Sequence, residues 1–203
     1  MNLSRKAVSL MLVLACVGLC AAQQKQQSGQ QPAPDLSGTW VLDRDKSYTD
    51  TQVRTPLPYE KMTVVIVQSG PELKITRDVV QGREEYNLSQ GVFFTDERGE
   101  ENQMFLIEDG KTQPVGVAES KTRWKGKRLV VEGRERLVLH GQKFEVAFTD
   151  TWELSKDGET LTHKTRAYDL QGTRGRRFFP FGTYASREQI GSPEVKRVYK
   201  RSR

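Results

Sequence analysis

Two histidines, His140 and His163, are the only imidazoles in the 203-residue chain, so any Ser-His-acid arrangement must use one of them. Neither is accompanied by a Gly-x-Ser-x-Gly elbow, a phosphate-cradling glycine loop or a second His at metal-ligating spacing. His140 stands in a turn beside Gly141, and His163 in a strand between Thr162 and Lys164. Both therefore read as structural histidines, and no metal site or cofactor is expected. The only two thiols, Cys16 and Cys20, lie near the N-terminus. Carboxylates are abundant, and glycoside hydrolysis needs only two. Yet the pairs Glu84-Glu85 and Glu100-Glu101 are sequence neighbours, and neighbours on a strand point to opposite faces. A carboxylate hydrolase consequently ranks last among the functional readings.

Asp150 is the exception among the acids. It falls on the apolar row Phe144, Val146, Phe148, Asp150, Trp152, Leu154, where a lone buried charge would cost several kcal/mol. A paired or rim-located structural Asp is the preferred reading, and a ligand contact the sharper alternative. The residues expected to line a ligand site are Trp152, Asp150, Phe148 and Trp124.

The element that positions this row is a β-hairpin over residues 143–166. Glu145, Thr149, Thr151 and Glu153 alternate with the apolar row, giving one dry and one wet face. Ser155-Lys156-Asp157-Gly158 supplies turn chemistry, and a Thr-rich return strand carries Leu161 inward. A lone hairpin is marginal in water, so it must belong to a larger sheet. Short strand signals separated by Gly-centred turns recur from Gly38 onward, with no run at helical spacing. Among them are residues 61–68, 73–80, 84–94 and 115–124, then 128–131 and 134–139 on either side of a turn expected at Glu132-Gly133. The pattern predicts an all-β fold, an antiparallel meander closing as a barrel, with a β-sandwich as the alternative.

Residues 1–22 read as an export signal: Arg5 and Lys6, an apolar stretch over 7–19, and Cys20-Ala21-Ala22 before Gln23. Val13-Leu14-Ala15-Cys16 resembles a bacterial lipobox, which would anchor the chain as a lipoprotein through Cys16. Ordinary cleavage is preferred because the apolar run before Cys16 is short. It would leave no thiol for a disulfide or a cysteine-bound metal. Residues 23–34 form a Gln/Pro-rich flexible linker, and residues 35–203 are the size of one domain. The expected location is periplasmic or extracellular.

Asp35-Leu36-Ser37-Gly38-Thr39-Trp40, together with residues 155–162, resembles uncharacterised exported bacterial proteins described as lipocalin-like. The resemblance implies a barrel of about eight strands whose Trp40 closes one end, with Gly38 before it and a basic residue from the last strand above it. Arg197 is the match for that residue. It also implies noncatalytic binding of a small hydrophobic or amphipathic molecule.

Of the formal net charge of +6, Arg5 and Lys6 contribute two, and from Arg174 onward nine Arg and Lys face only Glu188 and Glu194. This basic C-terminal segment reads as a solvated tail. The rival function is a cell-envelope scaffold or interaction protein, in which the tail meets an anionic envelope component. Nucleic acid is not expected as a partner. Phe178 and Phe179 are expected to form the last strand, ended by Pro180.

Overall fold

The chain divides into two compact units, Met1–Ala33 and Pro34–Arg203. A computed structural model describes residues 33–50, 54–57, 59–81, 84–108, 111–139, 141–169, 177–178, 184–185 and 194–202. The expected signal, most of the linker and His140 lie outside the described residues.

Strand β1 is Gly38–Leu42, followed by a 3-10 turn at Arg44–Lys46, β2 at Tyr48–Asp50 and β3 at Arg54–Pro56. Then come β4 (Lys61–Ser69), β5 (Glu72–Gln81), β6 (Glu84–Phe94), β7 (Glu100–Glu108), β8 (Lys111–Lys125), β9 (Arg128–Leu139), β10 (Gln142–Leu154) and β11 (Thr160–Asp169). Two short strands, β12 (Arg177–Phe178) and β13 (Tyr184–Ala185), pair only with each other, and β14 is Glu194–Arg201.

Ten antiparallel strands run in the order β6-β5-β4-β1-β14-β11-β10-β9-β8-β7 and nearly close into a barrel with one unsealed seam, between β6 and β7. The ring thus has ten members where about eight were expected, and it is one continuous path, not two packed sheets. Residues 128–139 form a single strand, so Glu132-Gly133 is no turn. Gly133 is there for space: a Cβ would come within 2.3 Å of the Glu119 carbonyl oxygen and 2.9 Å of the Phe148 ring.

The main apolar rows face inward, while Val67 on β4 and Val138 on β9 are exposed. Trp40, Met62, Val64, Ile66, Leu73, Ile75, Leu129, Trp152, Leu161 and Tyr199 are buried in one cluster. Ala118, Val131, Val146, Phe148 and Ala167 make a second cluster. Asp157 fixes the β10–β11 turn by accepting from the Glu159 amide at 3.0 Å, with Gly158 at φ +75°.

The basic C-terminal segment is not a tail in its final stretch. β14 lies between β1 and β11, with Val195, Arg197 and Tyr199 turned to the interior. It is the last strand, in place of Phe178 and Phe179. Its basic composition hides a strand period, because the inward row carries Arg as well as Val and Tyr. Phe179 and Pro180 lie outside the described residues.

Trp40 is fully buried and donates its indole N–H to the Leu36 carbonyl at 3.0 Å. The cation above it is Arg201, 4.2 Å from the ring centroid, and not Arg197. The register explains the correction: Trp40 lies opposite Arg201 across β1 and β14, and Arg197 sits four residues further along. Gly38, at φ +141°, leaves room for the Arg201 guanidinium, which a Cβ would meet at 2.6 Å.

Candidate functional site

Midway along the barrel the inward rows stop being apolar. On β10 the row passes from Phe148 through Asp150 to Trp152, and across the ladder Asp150 faces Thr165 while Trp152 faces His163 on β11. His163 in turn faces Arg197 on β14. From the other side of the ring β5 contributes Arg77, in the row Leu73, Ile75, Arg77, Val79, while β9, paired with β10, contributes Glu135, in the row Val131, Gly133, Glu135, Leu137. All of these polar residues are buried, none more than 8% exposed.

Their geometry is specific. His163 stacks on Trp152 with ring centroids 3.7 Å apart and planes 7° from parallel. Its Nε2 lies 3.3 Å from Asp150 Oδ2. Burial pushes the imidazole down to about 4 against the pull of Asp150, so near neutral pH the ring is uncharged and Nε2 carries the proton it donates to Asp150. Burial alone would raise the Asp150 carboxyl, but His163, Thr165 and Arg77 outweigh it and hold the group below its usual range. Arg197 donates to the Thr165 hydroxyl at 3.0 Å, and the Arg77 guanidinium lies 5.7 Å from the Trp152 ring. Glu135 has the opposite fate. Burial, reinforced by the Asp150 charge, lifts its carboxyl to about 8, so it is protonated near neutral pH.

Beside these groups is a cavity of about 40 Å³. Polar and apolar side chains interleave on its wall, Arg77, Asn102, Gln103, Ser120, Glu135 and Asp150 with Phe93, Met104, Ala118 and Phe148. Among the described residues, buried Asp150 Oδ1 has no hydrogen-bond partner, and neither has His163 Nδ1. An acceptor left bare in this way costs about 1–3 kcal/mol, so a donor brought into the cavity is favoured by a similar amount.

The cavity lies against the seam. Here a side chain replaces the missing ladder: Asn102 on β7 accepts from the Val92 amide at 2.8 Å and donates to the Val92 carbonyl at 2.9 Å. Glu100 accepts from the Phe94 amide at 3.2 Å and from the hydroxyls of Ser120 and Thr122 at 2.6 and 2.7 Å. A continuous strand pair would need many backbone bonds broken before it parted, whereas this join needs few.

Of the expected ligand residues, Phe148 and Asp150 line the cavity. Trp152 does not: it is fully buried beneath His163, and Trp124 packs at the margin of the main core. Arg77, Glu135 and the Asp150–His163 contact were missed, although the strand period that placed Asp150 also places Arg77 and Glu135. Glu100 turns into the seam and Glu101 to solvent, as the two-face argument requires. Among the described residues no cluster of three or more His, Cys, Asp or Glu could hold a metal ion. No protein-family model matches this chain and no curated protein matches it.

Proposed function

We propose that the domain is an exported, lipocalin-like barrel that binds a small amphipathic molecule with a hydroxyl head, noncatalytically, in the cavity behind the seam. The observation that carries this reading is the buried Oδ1 of Asp150, without a hydrogen-bond partner among the described residues, on the wall of a cavity that also has apolar side chains in its lining.

Charge selects the head group. With Glu135 protonated and His163 neutral, the charged groups described around the cavity are the Asp150 carboxylate and the guanidiniums of Arg77 and Arg197. An ammonium head would add a third cation to a dry interior, at a cost of several kcal/mol. A carboxylate head would meet Asp150 with no proton to offer Oδ1. A hydroxyl adds no charge, donates to Asp150 and accepts a hydrogen bond in return. The cavity has room for about three water-sized groups, so it takes the head and the first carbons. A longer chain must displace Phe93 and Met104 toward the seam, and Met104, unbranched and flexible, is suited to such adjustment.

Amide-resolved titration of the mature domain with 1-hexanol, hexanoate and hexylamine tests the proposal. Saturable shifts at Gly91, Asn102 and Ser120 with the alcohol, and at least tenfold weaker binding of the two ions, are expected. Linear, unsaturable shifts, or equal binding of all three heads, would remove it.

A further inference from the structure

The outer face of the barrel carries a second recess, unrelated to the interior cavity. Between the β11–β14 face and the 3-10 turn at Arg44–Lys46 lies a cleft of about 980 Å³, at the upper end of small-molecule site sizes. Its floor is the outward row of two strands, Thr160 and Thr162 on β11 with Lys196 and Val198 on β14, and Tyr48 lies beside Lys196 in the ladder. The turn stands over this floor because Ser47 ties it down: its hydroxyl donates to the Asp43 carbonyl at 2.6 Å and accepts from the Val198 amide at 2.9 Å. The wall is therefore a fixed part of the fold and not a passing loop conformation.

Cations reach the cleft from separate elements: Arg44 and Lys46 from the turn, Arg54 from β3 and Lys196 from β14. Among the described residues the only acid lining it is Asp45. Neighbouring cations are neutralised, Lys164 by Glu194 at 3.0 Å and Lys200 by Asp43 at 3.0 Å. Among the described residues, Arg44, Arg54 and Lys196 have no carboxylate within salt-bridge distance. Two of them are instead gathered over one aromatic ring, Arg54 at 4.5 Å and Lys196 at 5.6 Å from the Tyr48 centroid. Holding like charges together on a shared ring is unfavourable without a counter-anion, and the cation–π contacts offset only part of that.

We propose that this cleft binds a ligand carrying at least two phosphoryl groups, clamped between Arg44 on the turn and the Arg54–Tyr48–Lys196 stack. A cleft of about 980 Å³ has room for linked phosphates, and its cations come from separate elements that one ligand could bridge. Arg offers each a forked pair of donors.

The shared phosphoryl chemistry has two sources, a soluble polyphosphate or closely spaced lipid head groups, and the test separates them. Inorganic tripolyphosphate is titrated calorimetrically into the full domain at low salt, and sedimentation with phosphatidylglycerol vesicles is measured with and without tripolyphosphate. Saturable tripolyphosphate binding is expected to weaken at least tenfold in the triple variant Arg44→Ala/Arg54→Ala/Lys196→Ala. It is expected to change less than twofold in Arg134→Ala/Arg136→Ala, which removes cations from the outer face of β9. Vesicle binding that tripolyphosphate competes away assigns the lipid source, and tripolyphosphate binding without vesicle binding assigns the soluble one. Absence of saturable binding by the unaltered domain, or equal loss in the β9 variant, would overturn the site. Far-UV circular dichroism confirms that each variant is folded, and the single variant Arg54→Ala, on an exposed strand, gives the same answer if the triple variant is not.

Discussion

Asn102 gives Val92 both hydrogen bonds that a neighbouring strand would have given it, at 2.8 and 2.9 Å across the open seam of the barrel. One side chain thus does locally what a ladder does elsewhere. Asn102→Ala is expected to leave both Val92 groups without a partner, lower stability by about 1–3 kcal/mol and accelerate exchange of the Val92 amide far more than that of Trp40. Hydrogen exchange measured residue by residue checks this, and unchanged exchange at Val92 would show that the seam is held in another way.

Glu135 and His163 pull stability in opposite directions with pH. Glu135 is raised to about 8 from an ordinary value of 4.5, so between those limits the unfolded chain sheds a proton that the folded chain keeps, and stability falls as pH rises. His163 is lowered to about 4 from 6.5, so across that range stability rises with pH. The two offset one another below 6.5, and above it only Glu135 acts. Stability is expected to fall by about 2 kcal/mol from pH 6.5 to 8, and Glu135→Gln is expected to flatten the slope. Urea denaturation at the two pH values decides it: a flat profile in the unaltered protein, or a fall that persists in the variant, contradicts the assignment.

The hairpin and the barrel were legible because alternation is a direct consequence of a dry face, and residues 144–154 carry it with a single break at Asp150. What escaped was charge on the inward rows. Arg77 and Glu135 stand at inward positions of β5 and β9, yet their residue types suggest solvent unless the rows are followed through them. β14 was hidden for the same reason, since Arg197 and Arg201 occupy its inward face. Gly133 misled in the opposite way, because a glycine kept for a tight approach looks like a turn when only the sequence is read. The outer cleft left no local signal, being assembled from residues 44 to 198 by the fold alone.

That reading of Gly133 has its own consequence. Gly133→Ala drives a methyl into the Glu119 carbonyl, the Ser120 Cβ and the Phe148 ring, at 2.3, 2.7 and 2.9 Å. Two of these three neighbours are backbone or short side chain and cannot swing away. The variant is expected to lose about 1–3 kcal/mol, read as a lowered denaturation midpoint with unchanged slope. A neutral result would mean that β8 and β9 yield more easily than their register implies.

Arg201 and Arg197 hold separate parts of the barrel. Arg201 covers Trp40 and donates to the carbonyls of Ser37 and Gly158, each at 2.9 Å. Lysine has no planar fork to reach both, so Arg201→Lys is expected to lose much of the roughly 1–3 kcal/mol lost by Arg201→Ala. Trp40 fluorescence should shift in both variants and stay put in Arg197→Met, which lies by Thr165. A shift of equal size in all three, followed in a background with Trp124 and Trp152 replaced by Phe, would restore Arg197 as the partner of Trp40.

If the bare oxygen of Asp150 marks a ligand's place, a crystal structure grown with 1-hexanol shows the alcohol inside the barrel, its oxygen within about 3.2 Å of Asp150 Oδ1 and its chain between Phe93 and Phe148. An interior without alcohol at saturating concentration, with Phe93 and Met104 closed over the cavity, would contradict it.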